Sequence, residues 1–201
     1  RPVLGGPVVG LAPDTMLVDV GVNLDSRPQQ LVSFAVMGSL YMEMFNGIDQ
    51  PTVGLLSVGA EEGKGNALVK EAYQLLKRAD INFIGNVEGS DVPRGTANVV
   101  VCDGFIGNVT IKSSAGVANV VNKLLAEQLV SGRYTEAMTA FGAQINPQRF
   151  NGASLLGLQG SIVKSHGNAT VEGFVYAIQQ AIREVENNVP QLIAENVAAI
   201  I

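Results

Sequence analysis

Short apolar runs alternate along this chain with longer stretches in which apolar residues recur every three or four positions, and the runs end in glycine-marked loops. Runs at 16–20, 52–58, 81–84, 98–102 and 161–163 have the length and β-branched content of buried strands. Helical periodicity occupies 28–45, 65–79, 108–129, 134–141, 169–187 and 190–200. Leu31, Phe34, Ala35, Gly38 and Met42 share one face of the first helix, which opens at Pro28 with Ser26 as its expected cap and stops at Asn46-Gly47. Leu68, Val69, Ala72, Leu75 and Leu76 share a face of the second. Residues 1–15, rich in Gly and Pro, read as a loop or arm, and the segment containing Pro147 reads as a loop returning to Gly157. The β-α-β-α-β-loop-β order predicts an α/β layered fold, a single domain over 1–201, with a helical hairpin projecting at about 110–150. The closing helices are expected to pack across the sheet.

Five of the predicted strands end in Gly plus a polar residue: Gly21-Val-Asn23, Gly59 to Gly65, Gly85 to Asp91, Asp103 to Asn108, and Lys164 to Asn168. In an open parallel sheet such tips line one edge, where ligands bind. That arrangement nominates Lys64, Gly65, Asn23, Asn86, Glu88, Asp103, Gly104, Gly107, Asn108, Lys164, Ser165 and His166. Lys64, between glycines before a helix start, suits an anion, although the spacing is not that of a Walker loop. His166, the sole histidine, lies between Ser and Gly at a strand tip rather than on an apolar helix face. It can donate a proton, orient a phosphate or polarise a carbonyl. Ordinary turn chemistry also accounts for these residues singly: Asp103 as a helix cap, Asn beside Gly in turns, Lys64 in solvent.

With 201 residues, 47% hydrophobic and 15% charged, the chain can bury a sizeable core; lacking Trp, that core must be chiefly aliphatic. Twenty-three glycines suit many tight strand-to-helix turns. A net charge of −5 argues against nucleic acid as a partner. No apolar run is long enough to span a membrane. One cysteine makes no internal disulfide, which fits a reducing cytoplasm; Cys102 reads as a small buried apolar residue. No His/Cys cluster has zinc spacing and the carboxylates are scattered, so no metal or cofactor is expected. Val120, Val121, Leu124, Leu125, Leu129 and Phe141 of the hairpin are left as core, dimer seam or membrane-surface patch.

Leu17-Val-Asp-Val-Gly-Val-Asn23, Val53 to Gly65 (VGLLSVGAEEGKG), Gly85-Asn-Val-Glu-Gly89, Val101 to Val109 (VCDGFIGNV) and Leu156 to Gly167 (LGLQGSIVKSHG) together resemble the phosphate acyltransferase family. The resemblance runs from Arg1 to about Arg183. It implies a three-layer αβα fold similar to isocitrate and isopropylmalate dehydrogenases and to phosphotransacetylase. It implies transfer of a fatty acyl group from acyl carrier protein to inorganic phosphate, giving acyl phosphate for phospholipid synthesis. It also implies a cytoplasmic homodimer with peripheral membrane contact. Family members begin with a further strand-rich segment containing a Ser-Ala-Gly-Asn-Thr-Gly-type loop, after which this chain is expected to start. Ser57 stands where the family more often has Asn. On this footing Lys164, His166, Asn108 and Asp103 are expected to be catalytic and the other nominated residues to bind substrate.

Overall fold

The computed structural model describes residues 1–10, 14–129 and 135–200. Its seven strands form one sheet in the order β4-β3-β5-β2-β1-β6-β7. They are β1 (Val3–Pro7), β2 (Met16–Val18), β3 (Thr52–Leu56), β4 (Asn82–Val87), β5 (Val99–Val101), β6 (Ala153–Leu156) and β7 (Val163–Lys164). Six α-helices accompany them: α1 (Pro28–Asn46), α2 (Ala67–Leu76), α3 (Gly104–Leu129), α4 (Thr135–Gln144), α5 (Val171–Glu186) and α6 (Val189–Ile200). A short 3-10 helix, Pro147–Phe150, follows α4.

The central strands are apolar at every position because both faces are covered. Met16, Val18, Val99 and Val101 point into one cluster with Leu31, Phe34, Leu76 and Ile193 from α1, α2 and α6. The intervening Leu17 and Val100 point the opposite way, into a second cluster with Leu4, Val20, Leu56 and Val87, against which Ile111 of α3 packs. This two-residue alternation fixes the register, since a shift by one would exchange the two faces.

Several expectations change. The Gly- and Pro-rich start is not a loose arm: Val3–Pro7 is a strand, paired antiparallel with both β2 and β6. Gly5 lies under the Met16 side chain, whose terminal methyl would be 2.4 Å from a Cβ there and would have to move aside for a larger residue. The segment before Gly157 holds β6 as well as loop. Ser26 does not cap α1; its Oγ donates to the Asn23 carbonyl at 3.2 Å, while the Gln30 side chain accepts from the Arg27 N–H at 2.8 Å. The expected stop at Gly47 is present, in a left-handed conformation.

The five tips do not line one edge. β2, β3, β4 and β5 run parallel, so their tips do. β7 is antiparallel to β6, which is antiparallel to β1, so the chain leaves β7 toward the edge where β2 and β5 begin. The closing helices also divide: α6 lies on α1, whereas α5 packs against the 3-10 helix, β7 and α6. Its outer side leaves Val171, Phe174, Val175, Ile178, Ile182 and Val185 exposed. In the hairpin, Val120, Leu124 and Phe141 are exposed, so they are not core, while the Leu129 side chain lies outside the described residues. Among the described residues no helix is long and apolar enough to cross a membrane.

Candidate active site

The first turns of α3 separate two groups of candidate residues. The helix begins at Gly104, four residues earlier than its periodicity predicts. Asp103 caps it: one carboxylate oxygen accepts from the N–H groups of Phe105 at 2.9 Å and Ile106 at 3.0 Å. The two glycines let this end lie against the loop after β2. A Cβ on Gly107 would fall 1.8 Å from the Asp19 carbonyl oxygen, and one on Gly104 would fall 2.8 Å from that of Asn23. What these glycines approach is the chain's own backbone.

That loop is held by Asp19, a residue the sequence reading passed over. Fully buried, it accepts from the N–H groups of Gly21 (3.0 Å), Val22 (3.1 Å) and Asn23 (2.6 Å), and from the Asn23 side chain at 2.9 Å. Asn23 also donates to the Pro2 carbonyl at 3.0 Å and accepts from the Gly104 N–H at 2.8 Å. Asn23 is therefore a structural tie between β1, β2 and α3.

On one side of α3, at the tips of β3 and β5, a cavity of about 180 Å³ is lined by Ser57, Gly65, Asn66, Asp103 and Ile106, with Leu55, Leu56 and Val69 beneath. Gly65 holds φ +100°, a conformation open to glycine, with the Val69 side chain close behind. Ser57 Oγ is buried without a hydrogen-bond partner, as is Asn86 Oδ1 on the neighbouring strand; the Asn86 amide donates to the Glu61 carbonyl at 3.0 Å. Cys102 also lines the cavity, but burial and then the Asp103 and Asp19 carboxylates push its thiol pKa up. It stays protonated, as a buried apolar residue would. Lys64 and Glu88 are exposed near this edge and do not line this cavity; the Lys64 stem lies over Gly59.

On the other side, over the face of β1 and β6, Asn108, Lys112, Lys164 and His166 converge on a pocket of about 50 Å³ walled by Pro7, Ile111 and Phe150. Asn108 is fixed by a 3.1 Å hydrogen bond from its amide to the Val20 carbonyl. The Lys164–His166 turn is fixed by Asn151, which is buried: its Oδ1 accepts from the His166 N–H at 2.9 Å, and its amide donates to Ser165 Oγ (2.9 Å) and the Gly173 carbonyl (2.7 Å). Ser165 is thus engaged within the turn. Lys112 was not singled out from sequence, because a lysine four residues after Asn108 in a helix reads as a solvated face; that same spacing puts both on one side of α3.

Burial, then Lys164, then Lys112, hold the His166 pKa below its ordinary value. The neutral imidazole is favoured in the folded chain, so this group leaves stability unaffected above about pH 6.5 and reduces it as pH falls below that point. Because His166 is the only histidine, its ring resonances are unambiguous in a proton NMR titration. Its pKa should rise in Lys164→Ala; an unchanged or lower value would show that the ammonium group does not act on the ring.

The nominated residues thus form two clusters flanking α3, Gly65 with Asp103 and Asn108 with Lys164 and His166, not one cavity. Comparison with known proteins gives this arrangement its context. The sequence model of the family described as "fatty acid synthesis protein" matches residues 3–192. The chain belongs to that family. It is 41% identical to a phosphate acyltransferase of Chromobacterium violaceum over 206 residues, covering 98% of this chain and 60% of the relative. It is 43% identical to a phosphate acyltransferase of Coxiella burnetii over 197 residues, covering 94% of this chain and 57% of the relative. The chain therefore spans between 57% and 60% of those relatives' lengths. Among solved structures, a phosphotransacetylase (EutD) from Staphylococcus aureus aligns with a TM-score of 0.47 and 16% identity, covering 96% of this chain and 54% of that one.

Proposed function

We propose that this chain carries the phosphate-binding part of an acyltransferase that moves a fatty acyl group from a carrier-protein thioester to inorganic phosphate. The observation that carries the reading is the convergence of Lys112, Lys164 and His166 beside Asn108 in a member of a fatty acid synthesis family. Three cationic or proton-bearing side chains in a small pocket suit a compact oxyanion better than a neutral ligand. A phosphate oxygen attacks the thioester carbonyl carbon, forming a C–O bond; the C–S bond breaks, and the carrier thiolate leaves and takes a proton from solvent or His166. Phosphate needs positioning more than deprotonation, a task for the two lysines. The Asn108 amide retains a second N–H for the developing oxyanion. Asp103, one oxygen engaged as a cap, orders the start of α3 between the phosphate pocket and the 180 Å³ cavity. The reacting carbonyl must lie on the Asn108 side of α3, within reach of the phosphate, so that cavity, with Gly65 and the free Ser57 hydroxyl, takes a part of the donor away from the reacting carbon. Lys64, Asn86 and Glu88 border that edge, and Lys64 offers the donor an exposed positive charge. The layered fold is of the isocitrate dehydrogenase and phosphotransacetylase type in this reading, and the protein works in the cytoplasm.

The test is direct. This chain, alone and mixed with the portion of the Chromobacterium violaceum relative that it does not match, is given acyl carrier protein thioester and phosphate. Acyl phosphate is the expected product. Product from acyl-coenzyme A alone would make it a transacetylase, and no product in either mixture would leave a binding fragment.

The exposed side of α5 pairs with a second copy, giving a homodimer, and the hairpin meets the membrane surface. Exposed Phe174, Ile178 and Ile182 support the first, and exposed Val120 and Leu124 the second. Ile178→Asp with Ile182→Asp should convert a dimer into a monomer by light scattering; an unchanged mass would place the dimer seam elsewhere.

A further inference from the structure

Pro7 and Phe150, which wall the cationic pocket, also line a larger cavity that the acyl transfer reading leaves unused. It occupies about 600 Å³ between the end of α1, the 3-10 helix and α5, with Met42, Phe45, Arg149 and Arg183 among its lining. That volume is within the range of about 300–1,000 Å³ typical of small-molecule sites. Gly10, Phe141 and Ile145 connect it to an open, largely apolar groove of about 470 Å³ between α3 and α4, floored by Val117, Ala118 and Val121. The two spaces together pass from an aliphatic trough to a chamber bearing two guanidinium groups.

Among the described residues neither guanidinium is paired with a carboxylate. Arg183 lies over the Phe45 ring, 4.3 Å from its centroid, and Arg149 donates to the Ala143 carbonyl at 3.3 Å. No described Asp or Glu lines either space. The buried carboxylate nearby, Glu184, is turned toward Tyr41, Ser154 and Gln180, which all donate to it. Positive charge at one end of an apolar trough, within a chain of net charge −5, is complementary to one kind of molecule.

We propose that this pair of cavities binds a single-chain fatty amphiphile with an anionic head, the tail lying between α3 and α4 and the head facing Arg149 and Arg183. A fatty carboxylate and a long-chain acyl phosphate share that chemistry. The site is distinct from the phosphate pocket, so its test needs no turnover and stands whether or not the acyl transfer reading does.

Calorimetric titration of the whole chain with dodecyl phosphate, dodecanoate and dodecanol tests it. One equivalent of either anion should bind, and the neutral alcohol should bind about tenfold more weakly or worse. Equal binding of both anions would identify the head generically; binding of dodecyl phosphate alone would identify a phosphate head. The pair Arg149→Gln and Arg183→Gln should weaken both anions toward the alcohol, and Val117→Asp, at an exposed position of the trough, should weaken all three. Circular dichroism checks that each variant is folded. Unchanged anion affinity in the folded arginine variant, or equal affinity for alcohol and anion, overturns the proposal. So does displacement of dodecyl phosphate by inorganic phosphate with no effect of the arginine variants, since the head would then occupy the Lys112–Lys164 pocket.

Discussion

Asp19→Ala is expected to lower folding stability by about 3–5 kcal/mol, because it leaves a set of buried and part-buried N–H groups without an acceptor, at roughly 1–3 kcal/mol for each buried one. The carboxylate has no cationic partner among the described residues; backbone donors from Gly21, Val22 and Asn23 and the Asn23 amide satisfy it instead. Those bonds shape the loop on which Gly104 and Gly107 rest, so the loss extends to the start of α3. Asp19→Asn should also destabilise, since one amide position becomes a donor facing other donors. Urea unfolding measures both, and a change under about 1 kcal/mol for the alanine variant would mean that the loop does not depend on this carboxylate.

The second large effect concerns the cationic pocket. Lys164→Ala and His166→Ala should each lower acyl phosphate formation by about tenfold or more, a typical scale for removing one charge-stabilising or proton-handling group. Both side chains are substantially exposed, so unfolding midpoints should stay near that of the unmodified chain. Raised phosphate KM with unchanged kcat in Lys164→Ala would assign it to ground-state binding, whereas an equal fall in kcat and kcat/KM would assign it to the transition state. Unaltered rates in both variants would remove this pocket from the reaction.

Where the hydrophobic pattern and the local chemistry agree, the sequence is transparent. α1 and β3 lie close to where periodicity places them, and Asn46-Gly47 ends α1 through a left-handed glycine. The pattern misleads where glycine serves packing. Val-Leu-Gly-Gly-Pro looks like an arm, yet is a strand paired on both sides, its glycines lying under the Met16 and Ile111 side chains. Gly104 and Gly107 disguise the first turn of α3 for the same reason. The direction of β7 decides which strand tips meet, and local spacing carries no record of it; His166 therefore reaches Asn108 across the sheet face, with Asp103 on the other side of α3. Asp19 was hidden within an apolar run, where only its burial and its backbone donors reveal what it does.

Titration with inorganic phosphate, followed through the His166 ring resonance, decides whether the anion sits between Lys112, Lys164 and His166. A phosphate held between Lys112, Lys164 and His166 should shift that resonance saturably and raise the imidazole pKa, with affinity increasing as pH falls through the same range. Both effects should disappear in the Lys112→Ala, Lys164→Ala double variant. A resonance that stays put at saturating phosphate, in a preparation that still makes acyl phosphate, would contradict the assignment.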